Sequence, residues 1–126
     1  MKYSISDEWV AGFFEGEGCV TLNKVPTTPP GPQVNIAQKN PTILHMIQEK
    51  YGGKLSLDSN GVWALKWFNK DVLMILVPLL PHLLIKKPRA EVAIEMAHNV
   101  SAGRGHHLTE EQRNARWLLA ERMKQI

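Results

Sequence analysis

Two carboxylates, Glu15 and Glu17, stand two residues apart in the stretch "WVAGFFEGEGCV", which runs from Trp9 to Val20. Such a pair suits a hard divalent cation, because magnesium and calcium take oxygen ligands. The setting of the pair is unusual. The first half of the stretch is apolar with helical spacing, and the second half begins a strand. The acids therefore fall at a helix C-terminus, where the macrodipole disfavours negative charge. Gly12 and Gly16 lie inside the same helix, each costing about 1 kcal/mol relative to alanine. A segment that breaks local rules twice is a candidate functional site. On these grounds alone, the acids could equally be a solvated helix end.

Charge distribution adds to the first reading. Net charge is +3, which permits nucleic-acid binding without requiring it. Residues 1–50 hold four of the 15 basic side chains and five of the 12 acidic ones, so the remainder of the chain is the basic part. Asp7, Glu8, Glu15 and Glu17 surround the motif. A small acidic focus on an otherwise basic chain would hold a divalent cation beside a polyanion. The 126 residues fit one domain, 44% hydrophobic. A single cysteine, Cys19, excludes an internal disulfide. The polar start "MKYSISDEWV" has no signal-peptide pattern. The run "VLMILVPLLPHLLI" is broken by Pro78, Pro81 and His82 and is too short to span a bilayer. An intracellular protein without membrane contact is expected, with the compartment, a bacterial or phage cytoplasm or an organelle, left undetermined.

The elements that must position the acids are readable in order. Ser6 caps a helix that runs to about Gly16. "CVTLNKV" and "QVNIAQK" form two strands joined by the loop "PTTPPGP". Asn40 and Pro41 start a second helix that stops at Gly52. "KLSLDS" and "VWALKWF" flank an "NG" turn, a strong hairpin signal. A third helix follows and ends near Pro78 or Pro81. The fourth covers "KPRAEVAIEMAHNV", "SAGRGHH" is a loop, and Thr109 caps a terminal helix, with Leu108 available as a hydrophobic staple. The expected fold is α+β, in the order αββαββα plus C-terminal helices, with one four-stranded antiparallel sheet covered by helices on its apolar face. That leaves a bare polar face, suited to hydrogen bonding with base edges. Strand alternation assigns to it Thr21, Asn23, Gln33, Asn35, Lys54, Ser56, Asp58 and Lys66. Trp63 and Trp67 share the opposite, core side with Leu65. Cys19 is expected to pack, and the pair His106-His107 lacks a third metal ligand.

Three segments carry a family resemblance. "VAGFFEGEG", Val10 to Gly18, resembles the motif of the LAGLIDADG homing endonucleases. Gln38-Lys39, ending the second strand, and "IKKPRA", Ile85 to Ala90, resemble later segments of that family in the same order. The resemblance covers roughly residues 5–100, with residues 101–126 as a helical extension of the same domain. It implies a saddle-like DNA-binding sheet and a homodimer, since the chain has one motif. Motif helices of two copies would pack closely through Val10, Gly12, Phe13 and Gly16. Gly12 and Gly16, four residues apart, share one helical face. Glu17 and the carbonyl of Gly16 would face Mg²⁺ or Mn²⁺. Gln38 would position water or metal ligands, and Lys86 would stabilise charge in the transition state.

Many relatives carry aspartate where this chain has Glu17. Thr42 stands near a position that is arginine in some relatives and is left out of the catalytic set. Lys39, Lys87 and Arg89 are assigned to phosphates; cations at a helix start are otherwise unfavourable. The implied activity is hydrolysis of both strands of a long, pseudo-palindromic DNA target, in the service of an intron. An RNA maturase acting on its host intron RNA and a non-cleaving DNA-binding regulator are the alternatives.

Overall fold

Ser6 accepts the Trp9 amide N–H through its hydroxyl at 3.1 Å and so opens α1, Asp7–Glu17. Asp7 and Glu8 occupy the first turn, where negative charge is favoured. The structure, a computed structural model, describes residues 5–25, 28–103 and 109–126. After α1 come strands β1 (Gly18–Val25) and β2 (Thr28–Gln38), helix α2 (Thr42–Tyr51), and strands β3 (Lys54–Leu57) and β4 (Trp63–Phe68). Helix α3 (Leu73–Leu79) lies between 3-10 turns at Asn69–Val72 and Leu80–His82, and α4 (Lys87–Gly103) and α5 (Glu110–Lys124) complete the chain. The strands form one antiparallel sheet in the order β1-β2-β4-β3. The α+β order expected from the sequence is the one observed.

Register fixes which residues face inward. Val20, Val34 and Trp67 lie in one row across β1, β2 and β4, and Ile36 and Leu65 lie in the next. All five are buried. Phe14 of α1, Leu44 and Ile47 of α2, Ile75, Leu76 and Leu79 of α3, and Ala93 and Met96 of α4 pack on them. Burying each large apolar side chain contributes about 1.5–3 kcal/mol. Leu119, Ala120 and Met123 of α5 join the same core. The Trp67 indole N–H donates to the Tyr51 carbonyl at 3.1 Å, which satisfies its polar atom inside the core. Trp63 is partly buried against it.

Several boundaries differ from the sequence reading. Strand β2 begins at Thr28, inside the stretch expected to be loop. β2 reaches β4 only from Gln33 onward, so Pro29, Pro30 and Pro32 lie where one edge has no partner and a missing N–H is tolerated. The β3–β4 turn spans five residues rather than two, because the Asp58 carboxylate accepts the N–H groups of Asn60 (2.8 Å) and Val62 (3.0 Å). Asn40 does cap α2, accepting from the Thr42 N–H at 2.9 Å. α4 runs three residues past Val100, into the expected loop. Cys19 does not pack; it is exposed. Leu108 and the pair His106-His107 lie outside the described residues. Among the described residues, no helix is long and apolar enough to cross a membrane.

One polar contact ties α1 to α2. The Tyr51 hydroxyl donates to Asp7, and Lys50 lies 3.1 Å from the same carboxylate. The Tyr51 hydrogen bond, then Lys50, hold the Asp7 pKa below its ordinary 3.8. Burial, then Asp7, push the Tyr51 phenol up. A depressed carboxylate pKa gives stability that is present above the unfolded value and lost as pH falls through the folded value. Melting temperature followed downward from pH 6 should therefore fall below pH ~4 in the wild type, and Asp7→Asn should flatten that fall while lowering stability near neutrality.

Candidate functional site

Helix α1 passes into β1 with no loop, since Glu17 ends one and Gly18 begins the other. Gly18 pairs with Ile36, so Gln38 at the end of β2 comes alongside the helix terminus. Its side-chain amide donates to the Glu17 Oε2 at 3.1 Å. Glu17 is exposed, and among the described residues its second oxygen has no hydrogen-bond partner. Gly16 lies in the same last turn, where carbonyls lack intrahelical donors. Lys86 reaches this terminus from the other side. It caps α4, its carbonyl accepting the Ala90 N–H at 2.9 Å, and its Nζ donates to the Glu15 carbonyl at 2.5 Å. Glu17, Gln38 and Lys86, 69 positions apart at the extremes, thus meet around the end of one helix.

The donor set fits half of a site for a hard cation. Carboxylate and carbonyl oxygens suit Mg²⁺ or Ca²⁺. Among the described residues, no three His, Cys, Asp or Glu side chains come together, so Glu17 needs carboxylates from elsewhere to hold a cation firmly.

Beside this terminus spreads the outer sheet face. Cys19, Asn35, Lys66 and Lys54 form one row across all four strands. Thr21, Gln33 and Phe68 form a second, Ala37, Ala64 and Ser56 a third, and Asn23 stands opposite Gly31. Lys54 and Lys66 are directly opposed, an arrangement that destabilises a sheet. Neither makes an ion pair with a described residue. Two adjacent cations on a polar face, without a carboxylate partner among the described residues, fit a polyanion. The Gln33 amide donates to the Asn35 Oδ1 at 2.8 Å, so these two act as a pair. Phe68 and Cys19 belong to this face and were not among the expected residues; Phe68 is two residues from Lys66, and alternation alone assigns it there.

Other expected contacts are placed differently. Arg89 donates to the Val20 carbonyl at 3.1 Å, so its guanidinium is engaged with strand β1. Asp58 is engaged in its turn. Lys39 and Lys87 are exposed, at the end of β2 and the start of α4. Val10, expected between two copies, is 0% exposed: it packs inside its own chain and is not available to another copy. Trp9, half exposed and stacked on Phe13 at 5.5 Å, shares the outward side of α1 with Gly12 and Gly16 instead.

No family model matches the sequence, and no curated protein matches it. Solved structures do match in fold. The homing endonuclease I-CvuI, in complex with a DNA target, superposes with a TM-score of 0.79 at 19% identity, over 94% of this chain and 80% of that one. The archaeal intron-encoded homing endonuclease I-Vdi141I, complexed with DNA, gives 0.77 at 20% identity, over 94% and 82%. The LAGLIDADG meganuclease I-AabMI, bound to uncleaved DNA, gives 0.73 at 20% identity, over 92% of this chain but 44% of that one. The chain has the LAGLIDADG homing-endonuclease fold.

Within this fold, the three motif glycines of the chain do different work. A Cβ on Gly12 or Gly16 would meet no described residue within 4 Å, so packing among the described residues does not require either glycine. A Cβ on Gly18 would lie 2.2 Å from the Phe14 ring. Gly18 is what lets the strand leave over that buried ring. Gly18→Ala should therefore lower stability by about 1–3 kcal/mol through overpacking. In dilute protein, Gly12→Ala should raise it by up to about 1 kcal/mol, the helix propensity gain. Urea unfolding of both variants measures the contrast; equal effects would contradict these separate roles.

Proposed function

We propose that this chain is a site-specific double-strand DNA endonuclease, active as a homodimer with a divalent cation. One observation carries the reading: Glu17, Gln38 and Lys86 converge at the end of α1, next to a polar sheet face bearing two opposed lysines. The DNA-bound relatives of the same fold support it.

Trp9, Gly12, Phe13 and Gly16 give α1 an outward face with two positions free of side chains, on which a second copy could pack backbone to backbone. A two-fold axis there would bring two Glu17 carboxylates together. Without a cation between them, two such like charges would repel. Glu17, with the Gly16 carbonyl, would hold Mg²⁺ or Mn²⁺, which when bound would neutralise charge on the attacking water and the departing 3′ oxygen. Gln38, already bonded to Glu17, would orient that carboxylate or a water. The Lys86 ammonium would stabilise the negative charge that builds on the phosphoryl oxygens. Thr21, Asn23, Gln33, Asn35, Lys54, Ser56 and Lys66 would face the major groove, where amides can read adenine and lysine can read guanine. Lys39 and Lys87 would contact phosphates and contribute salt-dependent affinity. Each copy would read one half of a pseudo-palindromic target, and the cut would serve the mobility of an intron.

Two measurements on one protein preparation test this. Selection from a DNA library identifies a bound target. Glu17→Gln should abolish its cleavage in Mg²⁺ while gel-shift affinity persists, because the charge goes and the sheet stays. Since Cys19 is the chain's single thiol and lies in the central row of the outer face, bound DNA should also protect it from maleimide labelling. Cleavage by Glu17→Gln at the wild-type rate, or full labelling of Cys19 in the complex, would refute the site or the binding face respectively.

A further inference from the structure

Glu15 has no role in the reading above, yet it makes more hydrogen bonds than any other motif residue. Its carboxylate accepts three successive backbone N–H groups: Leu84 at 2.6 Å, Ile85 at 3.2 Å and Lys86 at 3.2 and 3.4 Å to its two oxygens. In return, the Lys86 Nζ donates to the Glu15 carbonyl. The two residues thus close a ring in which each holds the other's backbone.

The segment so held has little else to fix it. Leu84 and Ile85 are 82% and 83% exposed, so their side chains pack little on the described residues. Residues 84–86 belong to no helix or strand; they join the 3-10 turn at Leu80–His82 to α4. Their three amides precede the helix and have no secondary-structure acceptor. A charged acceptor gives the stronger class of hydrogen bond to such donors. Glu15 is also two residues from Glu17 on a rigid helix. A carboxylate there ties the position of the Lys86 ammonium to that of Glu17.

We infer that Glu15 is a positioning residue: it clamps the 84–86 backbone so that Lys86 is held against the end of α1 in register with Glu17. The inference rests on the nuclease reading for its effect on rate, but the clamp itself can be observed without DNA. It also explains why two acids stand at this disfavoured helix end. One faces outward, and the other is consumed by the protein's own amides, which offset the macrodipole penalty.

The test uses Glu15→Gln, Lys86→Met and the double variant in the full chain. Amide hydrogen exchange at residues 84–86 is read first. Glu15→Gln should lose that protection, whereas Lys86→Met, which retains the carboxylate, should keep it. Cleavage is then read under single-turnover conditions at saturating DNA. Displacement of a catalytic group by about 1 Å can cost roughly 100-fold, so Glu15→Gln should slow the step by about 10- to 100-fold with DNA affinity unchanged. Because Glu15 acts through Lys86, the double variant should be no slower than Lys86→Met alone. Unchanged exchange in Glu15→Gln would overturn the clamp. Accelerated exchange with fully multiplicative rate losses would overturn the positioning role. If the wild type cuts no DNA, the nuclease reading fails while exchange still decides the clamp. Should Glu15→Gln not fold, Glu15→Asp, which keeps the charge and shortens the reach by one methylene, carries the same comparison.

Discussion

Helix α1 and strand β1 share a junction with no intervening residue, and the architecture around the candidate site depends on that constraint. A helix that turns directly into a strand must let the chain pass over its own last turn. Here it passes over the Phe14 ring at Gly18, where a Cβ would collide. The geometry has two consequences. The helix terminus is fixed to the sheet by hydrogen-bond register, so Gln38 arrives beside Glu17 without any loop to order. The terminal carbonyls and acids of the helix are also left at the rim of the outer sheet face, where a polyanion lying on that face would meet them.

The same helix divides its circumference between two kinds of neighbour. Val10, Ala11 and Phe14 are buried in the chain's own core. Trp9, Gly12 and Gly16 are left exposed. A helix that exposes glycines has given up propensity without gaining packing inside its own chain. Such a loss is consistent with a partner that the single chain lacks. The shortage of acidic ligands points the same way: one Glu17 is too little charge to bind a divalent cation firmly, and a two-fold arrangement doubles it.

Much of this was legible in the sequence because the governing signals are local. Ser6, Thr109 and the Gly52 stop act within one helical turn, and the 2.0-residue alternation of β1, β2 and β4 names both faces of the sheet. Less legible were features set by tertiary neighbours. The prolines of β2 read as loop because sequence cannot tell which strand edge will be unpaired. Val10 reads as an interface residue until the position of the core on the helical wheel is known. Cys19 is apolar by type but stands opposite Asn35 on the outer face. Arg89 reads as a phosphate ligand because nothing in its surroundings along the chain reveals the Val20 carbonyl. Glu15 reads ambiguously for the same reason: the amides that donate to its carboxylate lie some 70 residues away. Contacts of that separation are decided by packing, which no window of sequence contains.

The central claim is that two copies complete one site at the end of α1, and subunit mixing tests it most directly. Wild type and Glu17→Gln would be denatured together, refolded at varied ratios and fixed total concentration, and assayed for linearisation of a plasmid carrying the selected target. If each cut requires two intact Glu17 carboxylates across a two-fold axis, activity should fall as the square of the wild-type fraction. A strictly linear fall would mean that one chain suffices for the complete reaction and would contradict the account.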